Sequence, residues 1–458
     1  MTEKWSRRKL LKTMGLTAGS IAAIPVSSWA KNESGESLIL PDDLYKVTLE
    51  KPITAITCGA GSRGNVYGNY AVQYPDQLKI VGVAEPLAIR NDRYAVKHNI
   101  ASTNRFTTWE QVFQRPKFAD AIIITTPDDL HYGPCMEALK LGYDVLLEKP
   151  ISPSEKECRD ILALAKKSGR IVAVCHVLRY APYFIKLREL IHSGAIGELV
   201  SIQHLEPIGY DHMAHSYVRG NWHNSKKTTP IILAKSCHDL DILRWMVDKP
   251  SKSIHAFGDV KWFRKENAPA GSTARCTDGC AVESTCPYSA VEHYLRRHSR
   301  LYVLDLPEDR TKWDDSILEW LKTSNYGRCV YHMENDQPDH YITNILFESN
   351  ITASFSMEAF TSYEGRRTRV MGTTGDIVGD MNSFVLTDFR SGQKTEWKQS
   401  TDGHGGGDWR LVANWIQAIA EKNPALLSST IDQSIESHLM GFAAEKSRLD
   451  KRVADISL

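Results

Sequence analysis

Two rhythms of apolar residues divide this chain. From Ile53 to Val174 the apolar residues come in short, nearly unbroken runs: Ile53–Cys58, Lys79–Ala84, Ala119–Thr126, Asp144–Leu147 and Arg170–Val174. Each run has the length of a strand, and each gap leaves room for a helix. The clearest helix follows Ser154, which with Glu157 makes a capping box; Cys158, Ile161, Leu162 and Ala165 then fall at i, i+3, i+4 and i+7 before Gly169. Strands that are apolar on both faces belong to a parallel sheet covered by helices on both sides. From Ile342 to Phe360 the rhythm becomes strict alternation, with Ile345 and Phe347, then Ile351, Ala353, Phe355 and Met357, on either side of Ser349-Asn350. That pattern predicts an antiparallel hairpin with one buried face, continued from Arg369 to Leu386 around Gly375-Asp376. Asp408–Ala420 and Gln433–Leu449 read as helices placed to pack back on the first half.

The first run feeds Gly59-Ala60-Gly61-Ser62-Arg63-Gly64. A strand, a glycine-rich turn and a helix form the geometry that holds a dinucleotide pyrophosphate. Gly59 permits the tight turn, Gly61 lets backbone approach the phosphates, and Gly64 allows close helix–strand packing. Glu85 ends the second run about 20 residues on, where a carboxylate takes the ribose hydroxyls and repels a 2′-phosphate. NAD is therefore the expected cofactor, with NADP as the alternative because Arg90 stands nearby. The fold class is α/β: an N-terminal Rossmann-type doubly wound parallel sheet, then a C-terminal α/β domain with an open, mainly antiparallel sheet.

Composition narrows the class. The chain has 458 residues, 24% of them charged, and a formal net charge of +1, which gives no sign of nucleic-acid or membrane binding. Its start is different. Ser6-Arg7-Arg8-Lys9-Leu10-Leu11-Lys12, an apolar stretch from Met14 to Val26 and Ser28-Trp29-Ala30 describe a twin-arginine export signal over residues 1–30. That stretch is too short and too rich in Gly, Ser and Thr for a membrane span, so the mature protein is expected in the periplasm without an anchor. Residues 31–50 read as an arm, 51–176 as the NAD(P)-binding domain and 177–458 as a substrate and oligomerisation domain.

The glycine turn, Thr126-Pro127 with His131, Glu148-Lys149-Pro150, and a later His238 with Asp241 together resemble the glucose–fructose oxidoreductase / inositol dehydrogenase / MocA family. Arg179-Tyr180-Ala181-Pro182, running on to Gly194–Leu199, resembles that family's crossover between domains. The resemblance implies a sugar or polyol held between the domains, with Gly59, Gly61, Ser62, Arg63, Gly64, Glu85, Arg90, Thr126, Pro127, His131, Glu148 and Lys149 around the cofactor. Members usually carry an Asp four residues before the histidine; here that place is Ala234.

Oxidising an alcohol needs a group to take the hydroxyl proton while nicotinamide takes the hydride. Lys149 follows a strand's carboxyl end, where doubly wound sheets place their ligands, and Pro150 fixes that turn, a cis bond being one way to do so. His238 and Asp241 stand at i, i+3, so Asp241 is placed to orient the imidazole, and Lys235 lies three residues before His238. Lys149, Lys235 and His238 are the candidates to share the proton. Substrate candidates are Tyr180, His215, Arg219, Trp222 and His223, the last four from a stretch dense in donors and aromatics that is also suited to packing against a partner. His404–Asp408 resembles a closing loop, with Asp408 as helix cap or substrate contact.

Cys276, Cys280 and Cys286, with Cys329 or His332 later, sit in an insertion over about residues 262–335. Three thiolates plus one more ligand fit structural zinc or an iron–sulfur cluster; disulfides and free thiols are the alternatives. The free face of the C-terminal sheet is the expected site of pairing into a homo-oligomer. Three activities follow: hydride transfer on a sugar, polyol or glycoside with tightly held cofactor; NAD-dependent glycoside hydrolysis by transient oxidation and elimination; and a non-catalytic sugar or NAD sensor.

Overall fold

The structure, a computed structural model, describes residues 47, 49–399 and 406–457. The export signal, nearly all of the arm and residues 400–405 of the expected closing loop lie outside the described residues. The unbroken apolar runs become parallel strands: β1 (Ile53–Cys58), β2 (Leu78–Ala84), β4 (Ala121–Ile124), β5 (Asp144–Leu147) and β6 (Val172–Val174), with a short β3 (Arg105–Phe106) at one edge. Their order, β3-β2-β1-β4-β5-β6, reverses direction between β1 and β4, and that switch point is where doubly wound sheets bind ligands.

Helices cover both faces. α1 (Ser62–Gln73) and α2 (Ala88–His98) bury Tyr67, Tyr70, Tyr94 and Ala95 on one side. α3 (Tyr132–Lys140) and α4 (Glu155–Ser168) bury Cys135, Leu139, Cys158 and Ile161 on the other. The α4 cap forms by half: Ser154 Oγ accepts from the Glu157 amide, but the Glu157 carboxylate takes the Ser152 hydroxyl instead of closing the box. Gly169 ends the helix in the left-handed region at φ 62°.

Beyond β6, the chain builds a nine-stranded sheet in the order β14-β13-β12-β11-β7-β10-β9-β8-β15. Its strands are β7 (Leu199–Pro207), β8 (Ser251–Asp259), β9 (His340–Phe347), β10 (Thr352–Glu358), β11 (Arg367–Gly372), β12 (Gly375–Gly379), β13 (Ser383–Asp388), β14 (Lys394–Lys398) and β15 (Ala454–Asp455). Every pairing is antiparallel except β7 with β10. The predicted hairpin is β9–β10, with Ile345 opposite Ala353 and positive φ at Ser349 and Asn350. The next turn falls at Thr373-Thr374, not at Gly375-Asp376. Gly375 is needed inside β12, where a Cβ would come within 2.7 Å of the Thr387 carbonyl oxygen on β13.

α5 (Pro182–His192) and α6 (Cys237–Val247) cover the inner face of this sheet. The insertion between β8 and β9 holds itself around Ala290, Tyr294 and the Ile317 and Leu321 side chains of α7 (Trp313–Thr323), with Trp313, Trp320 and Tyr326 packed against them. Burying each such large side chain is worth about 1.5–3 kcal/mol. Two arginines add backbone ties: Arg275 donates to the carbonyls of Leu321 (2.8 Å) and Ser324 (2.7 Å), and Arg219 to those of Arg328 (2.7 Å) and Tyr288 (2.6 Å).

The zinc or iron–sulfur expectation is therefore not supported. Cys276, Cys280, Cys286 and Cys329 do line one cavity of about 10 Å³. Among the described residues, however, no group of three or more His, Cys, Asp or Glu is arranged to hold a metal ion, and all nine cysteines are free thiols. Aromatic packing and arginine–carbonyl bonds supply the cohesion that a metal was expected to bring.

Two last helices tie the two sheets together. α8 (Gly407–Ala420) places Leu411, Val412, Trp415 and Ile416 on the first sheet. α9 (Ile431–Asp450) sets Ile431 and Ile435 on its other face, while Met440, Ala443 and Ala444 join the core under the second sheet. The outer face of that sheet is uncovered, exposing Val200, Phe257, Ile342, Leu346 and Val378. No helix among the described residues is long and apolar enough to cross a membrane.

Candidate functional site

The glycine turn has the shape its spacing demands. Gly59 sits at φ +94°, and a Cβ there would meet the Thr125 carbonyl oxygen at 2.5 Å; one on Gly64 would meet the Gly59 carbonyl oxygen at 2.1 Å. Gly61 differs, because a Cβ there would find nothing nearer than Arg90 Nη1 at 4.0 Å. The turn thus presses against β4 on one side and leaves open space over Gly61 on the other. Gly61 is the N-cap of α1 with no side-chain cap, and the first helical amides from Ser62 precede any intrahelical acceptor. Open space, free amides and the positive helix end fit a pyrophosphate. Glu85 Oε2 accepts from the Ala60 amide (2.8 Å) and Oε1 from the Leu87 amide (3.0 Å), which pins the turn to the end of β2 and leaves lone pairs for ribose hydroxyls.

The end of β5 carries Glu148-Lys149-Pro150, with the Lys149–Pro150 bond cis. Glu148 is buried and accepts from Arg63 Nε (2.6 Å), Tyr67 Oη (2.8 Å) and the Lys149 amide (2.6 Å). Burial works against its charge, but the Arg63 and Lys149 cations outweigh that and hold its carboxyl below the usual range. Arg63 also pairs with Asp408 in the first turn of α8, so its guanidinium is shared between two carboxylates. Asp408 is not the helix cap; Gly406 takes that position. His131 spans the carbonyls of Pro150 (2.7 Å) and Thr126 (2.9 Å), which stitches the Thr126-Pro127 loop to the lysine turn. Lys149 Nζ crosses to the second half and donates to the Ala234 carbonyl at 2.9 Å.

Ala234 ends a short helix, Ile231–Ala234; the chain breaks at Lys235-Ser236 and restarts as α6. Lys235 therefore lies in the break and not on the helical face of His238. Its Nζ pairs with Glu206 at 3.1 Å, beside a buried network in which Arg366 bridges Glu206 (2.8 Å) and Asp239 (2.7 Å), and His204 meets Asp239 at 3.1 Å. Burial opposes the Asp239 charge, yet Arg366 and His204 bring its carboxyl down to about 2.

His238 and Asp241 do share α6, but the orienting role expected of Asp241 is taken up elsewhere. Its two oxygens accept from Arg179 Nε and Nη2, both at 2.7 Å, deep in the interior. The ring next to His238 is His176, with centroids 6.0 Å apart, and His438 stands 5.6 Å from His176 on its other side. His438 Nδ1 faces the Ser434 carbonyl (2.8 Å) and Nε2 accepts from the Ile151 amide (2.9 Å), so α9 holds the strand end that carries Lys149.

The substrate candidates scatter. Trp222 Nε1 donates to Asp128 of the loop after β4 at 2.8 Å, which sets its indole at the junction of the two halves. His223 Nδ1 faces the Gly220 carbonyl at 2.8 Å. Tyr180 is buried, with its hydroxyl on Asn414 and Ser429, both at 3.0 Å. His215 is buried against Tyr294 Oη at 2.8 Å, and Arg219 is spent on the insertion's carbonyls. These last three serve packing, because a side chain enclosed by its own protein offers no face to a sugar. Sequence reasoning missed His176, Arg179 as a charge partner, Tyr67 and His438. Arg179 sat inside a segment already singled out, whereas His438 gave no signal beyond a lone histidine on an apolar helix face.

Residues 53–176 match a family described as "Oxidoreductase family, NAD-binding Rossmann fold", and residues 184–304 match the "GFO/IDH/MocA C-terminal domain". The chain is 25% identical over 313 residues to a putative oxidoreductase, YteT, of Bacillus subtilis, spanning 64% of this chain and 71% of that one. It is 27% identical over 150 residues to an inositol 2-dehydrogenase/D-chiro-inositol 3-dehydrogenase of Lactiplantibacillus plantarum, spanning 32% of this chain and 40% of the relative. Among solved structures it resembles levoglucosan dehydrogenase in complex with NADH and levoglucosan, with a TM-score of 0.65 at 15% identity over 89% of this chain and all of that one. An oxidoreductase domain protein from Kribbella flavida gives 0.66 at 14% identity over 89% and 100%.

Proposed function

We propose that this chain, which belongs to the Gfo/Idh/MocA family of NAD-binding oxidoreductases, moves a hydride between nicotinamide and a hydroxyl-bearing carbon of a sugar, polyol or glycoside. The observation that carries this reading is the reach of Lys149 from the carboxyl end of β5 to the Ala234 carbonyl, four residues before His238. The inositol dehydrogenase among its relatives supports a polyol as the substrate class.

When bound, NAD supplies the hydride acceptor. The amides from Ser62 to Gly64 would hold its phosphates and Glu85 its ribose hydroxyls. Lys149, steadied by its own strand end and by the Ala234 carbonyl, is placed to bind a substrate hydroxyl at Nζ. His238, in the first turn of α6 just past the break after Ala234, is the candidate to take or return the hydroxyl proton. His176, buried between His238 and His438, is held well below the ordinary histidine range by burial and then by the Arg179 and Lys149 cations. It stays neutral there and adds no competing charge.

Purified full-length protein should release a dinucleotide on denaturation and, with added NAD⁺, form NADH in proportion to product from at least one member of a panel led by inositols and anhydro-sugars. A protein that carries no dinucleotide, gains no thermal stability from NAD⁺ and forms no NADH would end this reading.

A second reading, redox-assisted glycoside hydrolysis, draws on Ala234, which leaves no carboxylate four residues before His238. It would release sugar without net NADH. Thermal stabilisation by NAD⁺ with neither product would mark a sensor. Twin-arginine export to the periplasm belongs to the same proposal and draws on residues 1–30; cell fractionation tests it. Homo-oligomer formation through the second sheet draws on exposed Phe257, Ile342 and Leu346, and light scattering tests it.

A further inference from the structure

We propose that Asp305, at the end of the insertion nearest the first sheet, selects a dinucleotide that lacks a 2′-phosphate. This rests on the reading above that the glycine turn holds a dinucleotide. Arg90 lies in the first turn of α2, and its Nη1 lies nearest the open space over Gly61, beside the turn that Glu85 pins just after β2. An arginine so placed is the usual partner of a 2′-phosphate. Here it is already engaged. Asp305 accepts from Arg90 Nε at 3.1 Å, and Arg90 Nη2 lies 3.1 Å from the same carboxylate oxygen. Three residues along α2, Arg93 donates to the Leu306 carbonyl at 3.4 Å. Two arginines on one helical face thus dock residues 305–306 of the insertion beside the glycine turn.

The charge balance follows. Arg90 and Arg93 bring two positive charges to this rim and Glu85 and Asp305 two negative ones, and both guanidinium groups are already engaged by residues 305–306. Ribose hydroxyls can donate to Glu85 without disturbing the pair. A 2′-phosphate would face Glu85 directly and would have to displace Asp305 to reach Arg90. Both partners are partly exposed, at 28% and 32%, so solvent screens the pair and the expected discrimination is a few-fold, not orders of magnitude. The sequence placed Arg90 near the cofactor. It could not show that a residue more than 200 positions later occupies that arginine.

The test is calorimetric titration of purified full-length protein with NAD⁺ and NADP⁺, so no substrate is required. Wild type should prefer NAD⁺. Asp305→Asn should tighten NADP⁺ by roughly fivefold, with NAD⁺ affinity changed less than twofold and an unchanged melting temperature. Adding Arg90→Gln should erase that gain, since the guanidinium is the group being released. If NAD⁺ binds and Asp305→Asn leaves NADP⁺ affinity unmoved, the proposal falls while the dinucleotide reading stands. If Asp305→Asn weakens both dinucleotides alike, Asp305 serves docking of the insertion and the proposal also falls. If wild type binds neither dinucleotide, the underlying reading fails with it.

Discussion

Two residues test the site most directly, one by removing a contact and the other by filling a close approach. Lys149 puts an ammonium between the strand that carries it and the Ala234 carbonyl. Lys149→Met keeps the aliphatic stem and deletes only the charge and its donors. Because positioned proton-handling groups contribute about 10²–10⁴-fold to rate, turnover should fall by at least about a hundredfold while dinucleotide affinity stays within a few-fold. Steady-state kinetics paired with calorimetry separates the two, and a parallel loss of both would move Lys149 from chemistry to cofactor binding. Gly64 tests the cradle. A methyl group there would sit 2.1 Å from the Gly59 carbonyl oxygen, a backbone atom that cannot rotate aside. Gly64→Ala should therefore open the turn at a cost of about 1–3 kcal/mol and abolish measurable NAD⁺ binding, whereas Gly142→Ala, strained by its φ of +80° but with nothing within 4 Å, should lower stability and leave NAD⁺ binding intact.

Elements, more than single residues, explain what the sequence concealed. The strands of the first sheet were legible because their apolar runs are continuous, and the β9–β10 hairpin because its alternation is strict. Glu148 and Lys149 could be named from their place after a strand's end, and His238 from its resemblance to a family pattern. What stayed hidden depends on long-range packing. Arg179 and Asp241 are 62 residues apart and meet as a buried bidentate pair, so no local pattern links them. Spacing at i, i+3 correctly put Asp241 on the face of His238, but it could not show that Arg179 had claimed the carboxylate. Local spacing likewise did not show the break after Ala234 that takes Lys235 out of the helix. Beside that break, Leu233 packs on Gly441 of α9, where an added Cβ would lie 2.4 Å from Leu233 Cδ2. The pair Arg179–Asp241 gives the stronger prediction. Asp241→Asn should cost about 3–5 kcal/mol, because it strands a buried guanidinium, and a urea melt measures the loss. A cost under about 1 kcal/mol would mean that Ser428 and Gln433, which also accept from Arg179, satisfy the cation alone.

At the scale of the whole molecule, folding buries His215 and His438 in two separate regions and shifts both towards the neutral form, with a consequence for acid stability. His215 lies under the insertion and His438 under the lysine turn, and burial is the first cause that brings each down to about 3. In His215 the Arg300 cation adds to burial. An unfolded histidine titrates near about 6.5, so between about pH 6.5 and pH 3 the unfolded chain binds protons that the folded chain refuses. Stability is then fully present above the unfolded value and is lost as pH falls, by up to about 1.4 kcal/mol per pH unit for each such histidine. The strongly depressed carboxylates Asp239 and Glu364, brought to about 2 despite burial by Arg366 and by His212 respectively, act only below the ordinary carboxylate range. The window from about pH 6.5 to pH 4 therefore belongs mainly to histidine. Urea melts across it should show unfolding free energy falling steadily with acid, and His438→Gln, which keeps an acceptor for the Ile151 amide, should make the slope shallower by about one proton. A wild-type protein equally stable at pH 7 and pH 4.5, or a slope unchanged by His438→Gln, would show that these rings accept protons in the folded state and that the pocket around Lys149 is wetter than its packing indicates.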